Sequence, residues 1–364
     1  MDPDRAVLLL ANDNKAQHEG PSAYTQAPPA AGQQAATLEL RDVTKVYPQQ
    51  PRPALANLSL KVGAGEVCVL VGPSGSGKTT AMRLINRMIP LSGGDILIGD
   101  RSVLKRDPVK LRREIGYVIQ QIGLFPHLTV AENIATVPRL LGWNRARTGA
   151  RVGELLRLIG LEPEIGKRYP AQLSGGQRQR VGVARALAGD PPVLLMDEPF
   201  GAIDPINRNR LQDEFQRLQQ GLRKTVVFVT HDIDEAIKLG DRIAILREGG
   251  TLAQYDTPAE LLTRPGDEFV AQFVGADRAL KRLGLQTLAE IELLDAHGID
   301  VGDRRVPLTT TLRDALSRVL DAGGAPLAVV DGAETVGAVT LELLGGLLHD
   351  GALGERASGE SAVR

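Results

Sequence analysis

The sequence predicts an α/β protein: a main domain with an antiparallel strand pair, a parallel core sheet and a helical insertion, followed by a small second α/β segment. Three observations predict it. Residues 67–71 (VCVLV), 193–196 (VLLM) and 226–229 (VVFV) are continuously apolar, as parallel strands buried on both faces are. Leu38 and Leu40, then Leu58, Leu60 and Val62, alternate with polar residues, the pattern of half-buried antiparallel strands. Between Gln120 and about residue 188 the strand signals stop and helical spacing takes over, as at Leu155, Leu156, Leu158 and Ile159.

Residues 1–36 read as a disordered tail rich in Ala, Pro, Gln and Gly, a composition that buries too little apolar surface to order itself. The main domain is expected over 37–275, with its helical part at about 121–188. The second segment is expected over 280–350, and a small polar tail over 351–364. Lysine plus arginine number 43 and aspartate plus glutamate 44, a formal net charge of -1, so no global basic field points to nucleic acid. Cys68 is the single cysteine and sits in an apolar run; it reads as a small core residue, and it has no partner for an internal disulfide, which suits a reducing cytoplasm. No stretch approaches the roughly 20 apolar residues of a membrane helix. The apolar run 7–11 is too short for a signal peptide, and Asp2 and Asp4 stand where a positive flank belongs. Service to a membrane would therefore run through a partner.

Gly72, Pro73, Ser74, Gly75, Ser76, Gly77, Lys78 and Thr79 fit G-x-x-x-x-G-K-[ST], directly after the 67–71 strand and before a helix-like run at 80–88 that Thr80 opens. Glycines let backbone N–H groups converge on phosphate, and the helix start adds partial positive charge. Lys78 supplies a cation to the phosphates and the Thr79 hydroxyl a ligand for Mg²⁺. These residues form the candidate ATP-binding loop. Asp197 and Glu198 emerge at the C-terminal tip of the 193–196 strand, where open α/β sheets place ligands. Asp197 is the candidate Mg²⁺ carboxylate, mostly through water, and Glu198 the candidate base for the attacking water.

Leu173, Ser174, Gly175, Gly176 and Gln177 precede a helix-like stretch at 178–188, with Ser174 in the cap position. With the loop around Lys78 and the acidic pair at 197–198, this run resembles the signature of the ABC-type ATPases, a branch of the P-loop NTPases, over roughly residues 37–275. The resemblance implies an ATP-hydrolysing homodimer in which Ser174, Gly175, Gly176 and Gln177 complete the nucleotide site of the opposite copy. Tyr47 then resembles the aromatic that stacks on adenine, although a core or surface tyrosine reads nearly as well. Gln120 resembles the glutamine that contacts Mg²⁺ and the attacking water, with Gln121 a one-residue alternative. His231 resembles the switch histidine at the γ-phosphate. Asp204, in the run from Gly201 through Ile203, resembles the loop that crosses the dimer interface; Ile203 replaces the commoner leucine.

The stretch 115–143 (IGYVIQQIGLFPHLTVAENIATVPRLLGW) and the run 273–278 (FVGADR) resemble the quaternary-amine branch of importers, which take up glycine betaine, choline, carnitine or proline. That implies membrane permease subunits as partners, a periplasmic or lipid-anchored solute-binding protein acting indirectly, and a place on the cytoplasmic side of the inner membrane. Ile122, Leu124 and Phe125 read either as a permease-docking patch or as core. Residues 311–316, 327–330 and 336–340 resemble one CBS motif, a regulatory module usually found in pairs; Leu343 stands where nucleotide-binding versions carry aspartate. An importer for another solute, such as an amino acid, shares the same motifs. A non-transport ABC ATPase fits less well, because sustained heptads and a second motif set are missing.

Overall fold

The computed structural model describes residues 34–48, 52–120, 123–201 and 204–347. Positions 1–33 of the first expected tail and all of the expected tail 351–364 lie outside the described residues, as do 49–51, 348–350, Gln121, Ile122, Ala202 and Ile203. The expected tail ends too late at its inner boundary. Ala36 is already docked, its carbonyl accepting the Thr225 hydroxyl at 2.7 Å.

Strand β1 (Leu38–Lys45) pairs antiparallel with β2 (Leu55–Val62), each burying alternate side chains. Strand β3 (Val67–Val71) is buried throughout and leads through the glycine loop into α1 (Lys78–Ile85), a helix that starts two residues earlier than the sequence suggests. The chain returns to the first sheet with β4 (Gly93–Ile98) and β5 (Arg101–Ser102), giving the order β2-β1-β4-β5. Helix α2 (Pro108–Glu114), capped by the Asp107 carboxylate, then feeds β6 (Ile115–Val118).

The helical insertion holds α3 (Val130–Leu140), α4 (Arg145–Leu158) and α5 (Gly175–Leu187). The last starts three residues before the expected 178, at the signature itself. The core sheet is completed by β7 (Val193–Asp197), α6 (Pro205–Leu222), β8 (Thr225–Val229), α7 (Ile233–Leu239), β9 (Arg242–Leu246) and β10 (Leu252–Asp256). Its order is β10-β9-β3-β8-β7-β6, parallel except for β10. Side chains of β3 alternate between two cores. Val67, Val69 and Val71 face the cluster shared with the helical insertion; Cys68 and Leu70 face the cluster under the antiparallel sheet. Burial pushes the Cys68 thiol up to about 12, as an inert core thiol requires.

Helices α8 (Pro258–Thr263), α9 (Glu268–Val274) and α10 (Arg278–Leu283) lead to the C-terminal segment. There β11 (Arg305–Pro307), α11 (Leu312–Asp321), β12 (Leu327–Asp331) and β13 (Glu334–Val339) form a three-stranded sheet, order β11-β12-β13, over a separate apolar cluster. The Thr311 hydroxyl caps α11.

The loop between β6 and α3 is pinned by Asn133, which is fully buried. Its Oδ1 accepts the Phe125 N–H at 2.8 Å, and its Nδ2 donates toward the carbonyls of Phe125, Leu128 and Thr129 at 3.1, 3.1 and 3.0 Å. Asn133→Ala would strand these backbone groups and is expected to cost about 2–4 kcal/mol. The check is the midpoint of urea unfolding; an unchanged midpoint would show that water replaces the amide.

Candidate functional site

The β3–α1 loop is a cradle that only glycine permits at two points. A Cβ on Gly72 would lie 2.2 Å from the Leu246 carbonyl oxygen, and one on Gly77 would lie 2.3 Å from the Ala54 carbonyl oxygen. Gly77 also has φ 86°, in the left-handed region. The loop is thus clamped between β9 and the start of β2, and its turn leaves Ser74 and Gly75 at the surface.

Lys78 is 8% exposed, its Nζ donating to the carbonyls of Gly72 (2.7 Å) and Pro73 (2.9 Å) and to Ser76 Oγ (3.3 Å). Burial lowers its pKa, and the fields of Glu198 and Asp197 oppose that shift. Thr79 Oγ1 lies 3.4 Å from Asp197 Oδ1, joining the helix start to the tip of β7. Thr80 is half-buried one residue on.

Asp197 is buried, and burial raises its carboxyl pKa, with Glu198 adding to the rise; Thr79, Arg83 and Lys78 pull the other way. The next residue turns sharply. Glu198 has φ 44°, costly for a side chain other than glycine by about 1–3 kcal/mol. The turn is fixed by the Glu198 N–H donating to the Val229 carbonyl at 2.9 Å and the Gly201 N–H donating to the Glu198 carbonyl at 3.2 Å. Its carboxylate is then bracketed. Gln120 Nε2 donates to Oε2 at 2.9 Å, and His231 Nδ1 lies 3.3 Å from Oε1. Two residues from beyond the ends of β6 and β8 thus converge on the carboxylate that follows β7. A carboxylate has about four lone-pair sites, so these two contacts leave capacity to accept from an incoming water.

Ser174 and Gln177 form a reciprocal cap at the start of α5: Ser174 Oγ accepts the Gln177 N–H at 3.2 Å and Gln177 Oε1 accepts the Ser174 N–H at 3.0 Å. Gly175 and Gly176 have ordinary backbone angles, and a Cβ at Gly175 would meet nothing within 4 Å. Neither strain nor packing in the described residues requires glycine here. The open space suits close approach by something outside this chain, at a helix start that favours an anion.

The chain as a whole is similar to known proteins. A family model described as ABC transporter matches residues 55–201. The osmoprotectant import ATP-binding protein OsmV of Salmonella typhimurium is 54% identical over 258 residues, covering 70% of this chain and 67% of that protein. The glycine betaine uptake system ATP-binding protein YehX of Escherichia coli is 45% identical over 297 residues, 81% of this chain and 94% of that protein. The chain belongs to the ABC transporter ATP-binding family. The choline transport ATP-binding protein OpuBA of Bacillus subtilis is 54% identical over 283 residues, 78% of this chain and 71% of that protein. Among solved structures, a dimeric ATP-binding cassette in a post-hydrolysis state with ADP and Pi superposes with a TM-score of 0.54 at 35% identity, covering 61% of this chain and 98% of that one. Like other ABC ATPases, this chain binds and hydrolyses ATP.

Not every expected site residue joins the cluster directly. Tyr47 is half-buried beyond β1, its ring beneath the Lys45 ammonium at 5.0 Å. Its link to the ABC cradle runs through Lys45, whose carbonyl accepts the Ala54 N–H at 2.8 Å beside Gly77. Asp204 is exposed before α6, its carbonyl accepting the Arg208 N–H at 2.9 Å. Of the expected docking patch, Phe125 is 41% exposed, Leu124 packs partly against the core, and Ile122 lies outside the described residues. Arg185, which sequence reasoning missed, reaches from α5 to donate to the Gly123 carbonyl at 2.7 Å, tying the loop after Gln120 to the signature helix. Only its position in α5 hinted at this; nothing local marks it.

Proposed function

We propose that the chain is the ATP-hydrolysing subunit of an importer for quaternary-amine osmoprotectants such as glycine betaine or choline. It works as a homodimer on the cytoplasmic side of the cell membrane, docked on permease subunits that a periplasmic or lipid-anchored solute-binding protein supplies. The observation that carries the chemistry is the convergence of Gln120 and His231 on the Glu198 carboxylate. Glu198 takes the proton of the attacking water, while Gln120 and His231 hold its two oxygens in place. The loop from Gly72 to Thr80 holds the phosphates, with Lys78 as its cation, and Tyr47 lies against the base. Ser174, Gly175, Gly176 and Gln177 of a second copy close the site, with Asp204 at that interface.

The donor set around Thr79 fits Mg²⁺, which keeps much of its water and needs few protein ligands. A buried Asp197 whose charge is destabilised by desolvation would be relieved by a cation beside it. Thr79, Asp197 and Gln120 would hold the ion, which when bound offsets phosphate charge. No helix among the described residues is long and apolar enough to cross a membrane, so contact with the bilayer runs through the permease in this reading. The C-terminal segment is read as a CBS-like regulatory unit.

The test is uptake of labelled betaine and choline in cells whose other quaternary-amine systems are removed. Deleting this subunit should abolish uptake, and a Lys78→Ala copy should fail to restore it. Undiminished uptake of both solutes in the deletion strain would reject the assigned solute class.

A further inference from the structure

Lys281, in α10, is a lysine only 8% exposed. Its ammonium donates to the Val274 carbonyl at 2.7 Å, at the end of α9, and pairs with Asp277 Oδ1 at 3.1 Å and Asp234 Oδ1 at 3.2 Å. Three donors meet three acceptors, so the buried charge is fully satisfied. The third partner is the telling one. Asp234 lies in the first turn of α7, three residues after His231.

That turn behaves as one block. The Asp232 carboxylate accepts the N–H groups of Asp234 and Glu235 at 2.9 and 3.2 Å, and the buried Glu235 accepts Gln212 Nε2 of α6 at 2.9 Å. These bonds tie Asp234 into the turn that directly follows His231, whose Nδ1 lies 3.3 Å from Glu198 Oε1. The other end of α10 belongs elsewhere. Leu283 is buried in the cluster of the C-terminal segment with Leu288, Leu312 and Val319, and the Leu312 N–H donates to the Gln286 carbonyl at 2.9 Å. One residue, Arg282, separates the side chain anchored in the C-terminal core from the lysine whose ammonium grips α7.

We propose that Lys281 is a positioning residue that couples the C-terminal segment to His231, through its ion pair with Asp234 on α7. Packing changes in the C-terminal cluster move α10, and Lys281 transmits the movement to the histidine that faces Glu198. The inference deepens the reading of His231 and Glu198 as the hydrolytic pair, and rests on it.

The experiment uses the full-length chain with isotope-labelled histidine. The sequence holds five histidines, and the signal lost in His231→Gln identifies the one of interest. Val319→Ala and the milder Leu288→Val, both in the C-terminal cluster, are expected to shift the His231 ring resonance. Asp234→Asn should shift it too, and in the Asp234→Asn background the two cluster variants should add no further shift. Thermal melts confirm that each variant is folded. Asp234→Asn should also lower kcat about two- to fivefold with KM for ATP unchanged, the scale of one partly exposed ion pair. A cluster-variant shift that persists undiminished in the Asp234→Asn background, or no shift from either cluster variant, overturns the proposal. Failure of Glu198→Gln to slow hydrolysis would instead sink the reading of the catalytic pair, and would leave the resonance result standing.

Discussion

Replacing Glu198 with glutamine is expected to slow ATP turnover by about 10²–10⁴-fold while ATP binding survives. The substitution keeps the shape of the side chain and an acceptor oxygen for the Gln120 amide at 2.9 Å, and removes the basic oxygen. The left-handed turn at φ 44° is unaffected, because it is set by backbone bonds to Val229 and Gly201. Binding and closure then proceed but hydrolysis does not, so ATP should hold the variant as a dimer on a sizing column. Single-turnover kinetics check the rate. Unchanged turnover would remove Glu198 from the chemistry and leave the Gln120 and His231 contacts as structural.

Lys78→Ala should weaken ATP binding by roughly 30- to 1,000-fold, the equivalent of about 2–4 kcal/mol in charge-assisted hydrogen bonds. The ammonium is the one cation the loop itself carries, and it is held inside the cradle by the Gly72 and Pro73 carbonyls. Lys78→Arg is not expected to be a full rescue, since a planar guanidinium does not reproduce the compact ammonium that bonds the Gly72 and Pro73 carbonyls. Titration with a fluorescent ATP analogue measures the loss; binding within twofold of the native chain would contradict the role given to the loop.

Much of the site was legible because its chemistry is local. The loop at 72–79, the cap at Ser174 and the acids at 197–198 each read from a few consecutive residues, and the three apolar runs gave the central strands β3, β7 and β8. What escaped the sequence was set by distant contacts. β6 was not recognised because Gly116 interrupts its apolar pattern, yet the glycine is required where a Cβ would lie 2.7 Å from the Ala186 carbonyl oxygen of α5. Strand β9 hides behind a polar start at Arg242. The Arg185 bond to Gly123 and the Lys281 pair with Asp234 join residues far apart in the chain, and no spacing rule finds such pairs. Helix α5 begins at Gly175 because the Ser174–Gln177 cap sets its start, whereas apolar spacing becomes visible only further along.

In the proposed homodimer two incomplete half-sites face each other, and mixing two inactive variants tests that directly. Lys78→Ala spoils the cradle and Ser174→Arg spoils the signature cap; each alone should be inactive. In a mixed dimer one composite site carries both lesions and the other carries none. Equimolar mixing should restore about one quarter of native turnover, because half the dimers are mixed and each keeps one of two sites. A mixture as inactive as its components would mean that cradle and signature work within a single copy, contrary to the site described here.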